Sequence, residues 1–299
     1  METQFGVKAR LTANPSRQLY LSSIGDKVSR LSEGLPMDVN GRRANPAATY
    51  DSQLSPVQTA AFSRPTAEML EALADVSAAT ACAKLHQKGI TRTFINGPVP
   101  LHRTPDVKVF GGAVTLQFLP QREDVFTSAD QEYAERKTAL WGVLESIQPG
   151  DVLVVSAYAS QFTGCLGDML VRYFKLRGGA GIVVDGRVRD AARIRALGVP
   201  VWSTGVTPHY ASQTELFPAA FNVPVGVGGT LVIPGDIIVA DDDGAVAVPQ
   251  KMAVSLSEDS LELQGREEFA RRRLDEGGRL SDYYPLNGPG LEEYLAARG

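Results

Sequence analysis

Residues 182–184, Ile-Val-Val, form a β-branched run with no polar alternation. A strand with one wet face alternates apolar and polar side chains, so a continuous run suits a strand covered on both faces. That requirement demands a layer on each side of a sheet. The run also ends abruptly, because Asp185, Arg187, Arg189 and Asp190 follow within six residues. Such a burst of charge after a core strand is either a solvated turn or a site at the strand's carboxyl end.

The flanking pattern extends the argument. A helix is expected from Thr66, a good N-cap, through Met69, Leu70, Leu73 and Val76 at helical spacing, with Gly89 as its stop. Residues 107–119 read as a strand with a glycine bend. Ser128 and Gln131 make a capping box for a helix carrying Tyr133, Leu140, Leu144 and Ile147 on one face. A second strand follows the Pro149-Gly150 turn over 151–157, and residues 164–179 approach a helix with Leu170, Tyr173 and Phe174 facing the core. Ile194 and Leu197 mark a short helix closed by Gly198. Pro and Gly then punctuate short strands and hairpins, with "GVGGT" (226–230) as a bulge or turn and Asp243-Gly244 as a hairpin turn. Strands alternating with helices and then a β-rich half predict an α/β domain of layered sheets. The roughly eight βα units of a TIM barrel are not found.

Residues 1–66 are rich in Pro, Ser, Asn and Arg without a sustained period, and read as an irregular N-terminal arm packed on its own domain or on a neighbouring subunit. The organised domain then spans 67–250, and 251–299 form a helical tail whose charged stretch ends at Gly277. A net charge of −4 argues against a general nucleic-acid binder. Two cysteines, Cys82 and Cys165, make no disulfide framework and point to a reduced, cytoplasmic setting. No apolar run approaches the ~18 residues that cross a bilayer, so the chain reads as soluble with no membrane partner.

Several chemistries lack their residues. There is no GxxxxGK[ST], no GxGxxG opening a helix and no GxSxG. His86, His102 and His209 have no zinc spacing to each other or to a cysteine. Of the lysines only Lys108 sits in an expected strand, which gives little support to a Schiff-base enzyme. "ADDDG" (240–244) lacks the ligand spacing and distal glutamate of a calcium loop.

Two loops remain. In α/β sheets ligands gather beyond the carboxyl ends of strands. One strand leads through Gly164 and Gly167 to a helix starting near Asp168, whose first N–H groups suit a small carboxylate. The strand at 181–185 presents Arg189 and Asp190. If adjacent, the loops supply an anion nest, a guanidinium fork and a carboxylate for a hard metal, a set suited to a metal-bound oxo acid. The competing reading makes Asp190 a helix-dipole carboxylate and Arg189 its solvated neighbour. Arg187, Arg193 and Arg195 read as surface charges, and Asp185 as a turn residue.

Residues 164–208 and 222–249 together resemble the RraA-like family, which includes class II 4-hydroxy-4-methyl-2-oxoglutarate/4-carboxy-4-hydroxy-2-oxoadipate aldolases and the regulator of ribonuclease activity A. The residues that carry the likeness are the G-D-x-L step at 167–170 and the V-x-D-G-x-x-R-D step at 183–190, in that order and separation. The likeness runs from about residue 67 to about 285. It implies a layered β/β/α, swivelling-type domain with an N-terminal extension, assembled as a homotrimer or homohexamer with sites near subunit boundaries. It implies that Gly167, Asp168, Met169 and Leu170 hold a pyruvyl carboxylate, that Arg189 contacts substrate, and that Asp190 ligates Mg²⁺ or Mn²⁺. Asp168 would act on metal-bound water, and Glu267 or Glu268 would approach from a neighbouring subunit's tail. One departure stands out: family members often carry T-x-x-x-D-A-L in the first helix, where this chain has Cys82 and Ala83.

Together these readings predict a small 2-oxo acid substrate, cleaved by retro-aldol chemistry to pyruvate or, for oxaloacetate, decarboxylated. The enolate would be stabilised by the metal and Arg189. Two alternatives share the fold: a non-catalytic regulator that binds a ribonuclease or another protein, and a metal-dependent sugar-acid dehydratase.

Overall fold

The computed structural model describes residues 57–58, 61–102, 107–121, 138–210 and 215–298. Chain order begins with strand β1 (Val57–Gln58), helices α1 (Ala67–Ala72) and α2 (Ala78–Gln87), and strands β2 (Phe94–Ile95), β3 (Val99–Pro100) and β4 (Val109–Pro120). Helix α3 (Ala139–Ser146) precedes the units β5 (Val152–Gly164), α4 (Asp168–Leu176), β6 (Gly181–Val188), α5 (Ala191–Leu197) and β7 (Val201–Val206). The β-rich part comprises β8 (Leu216–Phe221), β9 (Val225–Val227), β10 (Thr230–Val232), β11 (Ile237–Asp241) and β12 (Gly244–Val248). Helices α6 (Ala253–Asp275), α7 (Leu280–Tyr283) and α8 (Gly288–Arg298) complete the described chain.

One large sheet runs in the order β2-β12-β11-β4-β5-β6-β7-β3, with β8 pairing β4 and β1 off that path. Its centre, β4-β5-β6-β7, is parallel. The missing alternation in β6 now has its cause. Ile182 and Val184 pack into the cluster formed with α3, α4 and α5. Val183 packs on the opposite face, with Val225, Val227 and Val232 of the β9-β10 hairpin and Ile238 of β11. All three β6 side chains are fully buried. A third cluster seats α1, α2 and the start of α6 on β11 and β12. The fold is the expected α/β, layered β/β/α arrangement.

Local expectations are met in several places. Thr66 caps α1 by accepting from Met69 N–H at 3.3 Å. Gly89, Gly198 and Gly277 take positive φ after their helices. Gly228 and Gly229 turn the β9-β10 hairpin, and the β11-β12 turn falls at Asp242-Asp243, one residue before the expected pair, with Gly244 opening β12 opposite Asp241.

Three expectations are corrected or moved. The first helix is two helices, because Ser77 starts α2 by accepting from Thr80 N–H at 3.1 Å. Asp241 of β11 accepts from Ala78 N–H at 2.8 Å, a tertiary contact that fixes the break. The second strand does not stop at 157 but continues to Gly164 through shifts of register against β6. The capping box at Ser128 and Gln131, like most of the N-terminal arm, lies outside the described residues; the described helix α3 starts at Ala139 with Leu140 and Leu144 buried.

Candidate functional site

The far end of β5 stays paired with β6 after its bulges, with Gly164 opposite Arg187. Cys165 N–H donates to the Arg187 carbonyl at 2.8 Å, and Arg189 N–H donates to the Leu166 carbonyl at 3.0 Å. These bonds run the glycine loop and the charged loop side by side. Gly164 is buried where any Cβ would lie 2.2 Å from the His209 carbonyl, so only glycine fits.

The two predicted loops therefore meet at Gly167. A Cβ built there would lie 2.9 Å from both Arg189 Nε and Asp190 Oδ2. Arg189 Nε is 3.3 Å from Asp190 Oδ2, and both side chains are about one-third exposed (38% and 32%). Gly167 is also the N-cap of α4 and offers no side-chain cap, so the first N–H groups of the helix have no capping oxygen from it. Asp168 sits in the first turn of α4, with Oδ2 3.8 Å from Arg193 Nη1. Met169 is exposed, while Leu170 packs against the core.

Asp190 occupies the N-cap position of α5, yet its side chain makes no capping bond. Its backbone is left-handed (φ 59°, ψ 34°), a strained conformation for a non-glycine residue. The carboxylate is turned toward Arg189 and Gly167 rather than spent on the helix. This weakens the dipole-only reading of Asp190.

Tyr210, which sequence reasoning missed, places its ring 5.7 Å from the Arg189 guanidinium carbon. It follows β7 by four residues and comes to Arg189 only because β7 lies beside β6. The only sequence signal was an aromatic just after a strand. Arg187 is not a plain surface charge, since it donates to the Val206 carbonyl at 2.9 Å and to Gln161 Oε1 at 2.6 Å. Arg193 and Arg195 are exposed. Glu267 and Glu268 lie on α6, which packs against α1 and α2, and Glu267 accepts from Arg271 at 3.3 Å.

Asp185 is not a turn residue. It lies inside β6, 8% exposed, and accepts from Gly228 N–H at 3.2 Å. Burial raises its carboxyl above the usual range, against the opposing pull of the Gly228 and Ala159 N–H groups. Burial likewise pushes the Cys165 thiol up to about 12, which makes it a poor nucleophile beside the site.

Among the described residues no three His, Cys, Asp or Glu side chains cluster to hold a metal by themselves. A hard divalent ion that keeps several waters needs only one or two carboxylates plus substrate oxygens. Asp190, whose carboxylate makes no helix-capping bond, fits that lesser demand. Among the same residues no helix is long and apolar enough to cross a membrane.

Comparison with known proteins gives the family of the chain. The family described as RraA-like, Aldolase/RraA, matches residues 66–247. A protein of Halalkalibacterium halodurans, provisionally named a 4-hydroxy-4-methyl-2-oxoglutarate aldolase, is 32% identical over 128 residues, which cover 43% of this chain and 60% of that relative's length. The crystal structure of Streptomyces coelicolor RraAS2, described as an unusual member of the RNase ES inhibitor RraA family, is 58% identical with a TM-score of 0.65. It covers 71% of this chain and 99% of its own. An uncharacterized protein of Pseudomonas syringae pv. tomato shares the fold at 21% identity and a TM-score of 0.64, covering 77% of this chain and 98% of its own.

Proposed function

The chain belongs to the RraA-like family, and on that premise we propose that it is a divalent-metal-dependent lyase acting on a 2-oxo acid. The reaction is retro-aldol cleavage of a 4-hydroxy-2-oxo acid to pyruvate, with decarboxylation of oxaloacetate on the same site. The observation that carries this reading is the convergence at Gly167, where backbone, guanidinium and carboxylate face one point.

Each group has a role its chemistry suits. The free N–H groups at the start of α4, over Gly167 to Leu170, take the substrate carboxylate, as helix N-termini take anions. Arg189 gives its planar fork to oxygens that gain negative charge as the carbon–carbon bond breaks, and Tyr210 limits where that fork can swing. Asp190 would hold Mg²⁺ or Mn²⁺, which when bound supplies Lewis-acid stabilisation of the developing enolate. Asp168 orients the water that removes the proton from the distal hydroxyl, and a tail glutamate, Glu267 or Glu268 of another copy, is the alternative base. Assembly as a homotrimer or homohexamer belongs to the same reading.

Pyruvate release from oxaloacetate and from a 4-hydroxy-2-oxo acid, with and without EDTA, tests it. EDTA-sensitive release that is lost in a folded Asp190→Asn variant is the expected result. Normal turnover in that variant removes Asp190 from the mechanism. The likeness to RraAS2 favours a second reading, a regulator that binds a ribonuclease. Absence of pyruvate release together with inhibition of a purified ribonuclease would select it.

A further inference from the structure

A separate cavity of about 670 Å³ opens over residues of β4 to β7, on the sheet face opposite α3 to α5, where the β9-β10 hairpin covers it. Asn96, Gln117, Ser156, Asp185 and Thr204 line it, together with glycines of that hairpin. None of the residues assigned above to the 2-oxo acid lines it.

Its walls are built from groups that both give and take hydrogen bonds. Gln117 Nε2 donates to Ser156 Oγ at 3.2 Å, and Ser156 Oγ donates to the Gly226 carbonyl at 2.8 Å, so these side chains are fixed. Asp185 brings a carboxyl to the floor, held by Gly228 N–H.

The backbone is distorted to make this arrangement. Opposite β6, the register jumps from Ser156 to Ser160, so residues 157–159 bulge out of β5. Tyr158 and Ala159, neither of them glycine, both take positive φ (53° and 51°). The bulge directs Ala159 N–H to Asp185 and leaves Tyr158 58% exposed at the rim. Strain of this kind persists where the surroundings hold it, and it clusters at ligand sites.

Among the described residues no Lys, Arg or His lines the cavity. A carboxylate or phosphate would face Asp185 with nothing to offset its charge, so an anion such as a 2-oxo acid is the wrong occupant. We propose that this cavity is a second binding site, for a neutral polyhydroxylated molecule of monosaccharide size. Its hydroxyls pair with Asp185, Gln117 and Asn96, and the Tyr158 ring offers an apolar face to its C–H groups.

Tyr158 provides the test. It lines the cavity and is 58% exposed at its rim, so Tyr158→Ala removes the ring without opening the core. Saturation-transfer NMR on the full chain uses D-glucose, D-ribose and glycerol at millimolar concentration, with pyruvate and ethylammonium as charged controls. The proposal expects saturable binding of at least one sugar, weakened about tenfold or more in Tyr158→Ala and in Asp185→Ala. Asp190→Asn should leave that binding unchanged, which separates this site from the 2-oxo acid site. If Asp185→Ala fails to fold, Tyr158→Ala, checked by its melting curve, decides alone. No saturable signal from any polyol, saturation by ethylammonium alone, or equal sugar binding in Tyr158→Ala overturns the proposal.

Discussion

Arg64→Ala tests how the last residues before the domain are held to it. Arg64 Nε donates to both oxygens of Asp151, at 2.9 and 3.1 Å, and Nη2 donates to Asp151 Oδ2 and to the Ser146 carbonyl, each at 2.9 Å. Asp151 is buried, with its side chain only 3% exposed, while that of Arg64 is 26% exposed. Truncation leaves the carboxylate with Gln148 N–H, at 2.8 Å, as its remaining donor among the described residues. Breaking a buried pair from one side costs ~3–5 kcal/mol, because a charge stays behind without its partner. The surviving N–H and the partial exposure of Arg64 place this case near the lower end, about 3 kcal/mol. For a chain of this size each kcal/mol lowers Tm by ~2–4 °C, so the expected fall is roughly 6–12 °C. Arg64→Lys should recover less than half, since an ammonium group cannot reproduce the fork. Adding Asp151→Asn to Arg64→Ala should restore part of the loss, because the stranded charge is gone. Scanning calorimetry at neutral pH reads all four proteins. A fall in Tm below about 2 °C for Arg64→Ala, or a double variant no better than the single one, would refute the reasoning.

Other expectations follow from the same geometry. Gly167→Ala is compatible with the local φ of −112° but pushes Arg189 Nε and Asp190 Oδ2 aside from 2.9 Å, so pyruvate release should fall roughly 10²-fold while Tm moves by only a few degrees. Unchanged kinetics in that variant would place the reacting groups elsewhere. Arg189→Lys should lose at least ~2 kcal/mol of transition-state stabilisation, and steady-state rates close to wild type would contradict the fork's role. Burial raises the folded-state pKa of Asp185, so the folded protein holds that proton more tightly than the unfolded chain. Its contribution to stability is therefore present below the ordinary carboxylate range and is lost as pH rises through the raised value. Melting curves against pH should show Asp185→Asn gaining on wild type across that window, and parallel curves would count against it.

What the amino-acid order alone determined was the layering and the identity of the two loops. An unalternating Ile182-Val183-Val184 suits a strand covered on both sides, and the structure supplies helices on one face and the β9-β10 hairpin on the other. Glycines at turns were equally legible, since Gly198, Gly228, Gly229 and Gly244 take backbone conformations that other residues resist. The tertiary structure decided everything that depends on which distant residues meet. Local spacing could not show that Asp241 would satisfy Ala78 N–H and split the first helix in two. Nor could it show Arg64, in a stretch of loop-like composition, reaching Asp151. Asp185 looked like a turn because charged residues and Gly186 follow it, yet the bulge at 157–159 and the turn at Gly228 close over it and make it a buried strand residue. Tyr210 reaches Arg189 through the pairing of β6 with β7, a relation with no signature in either segment. Periodicity and turn chemistry act over a few residues, whereas burial, pKa and partnership are set by chain segments far apart in sequence, so the folded chain alone could assign them.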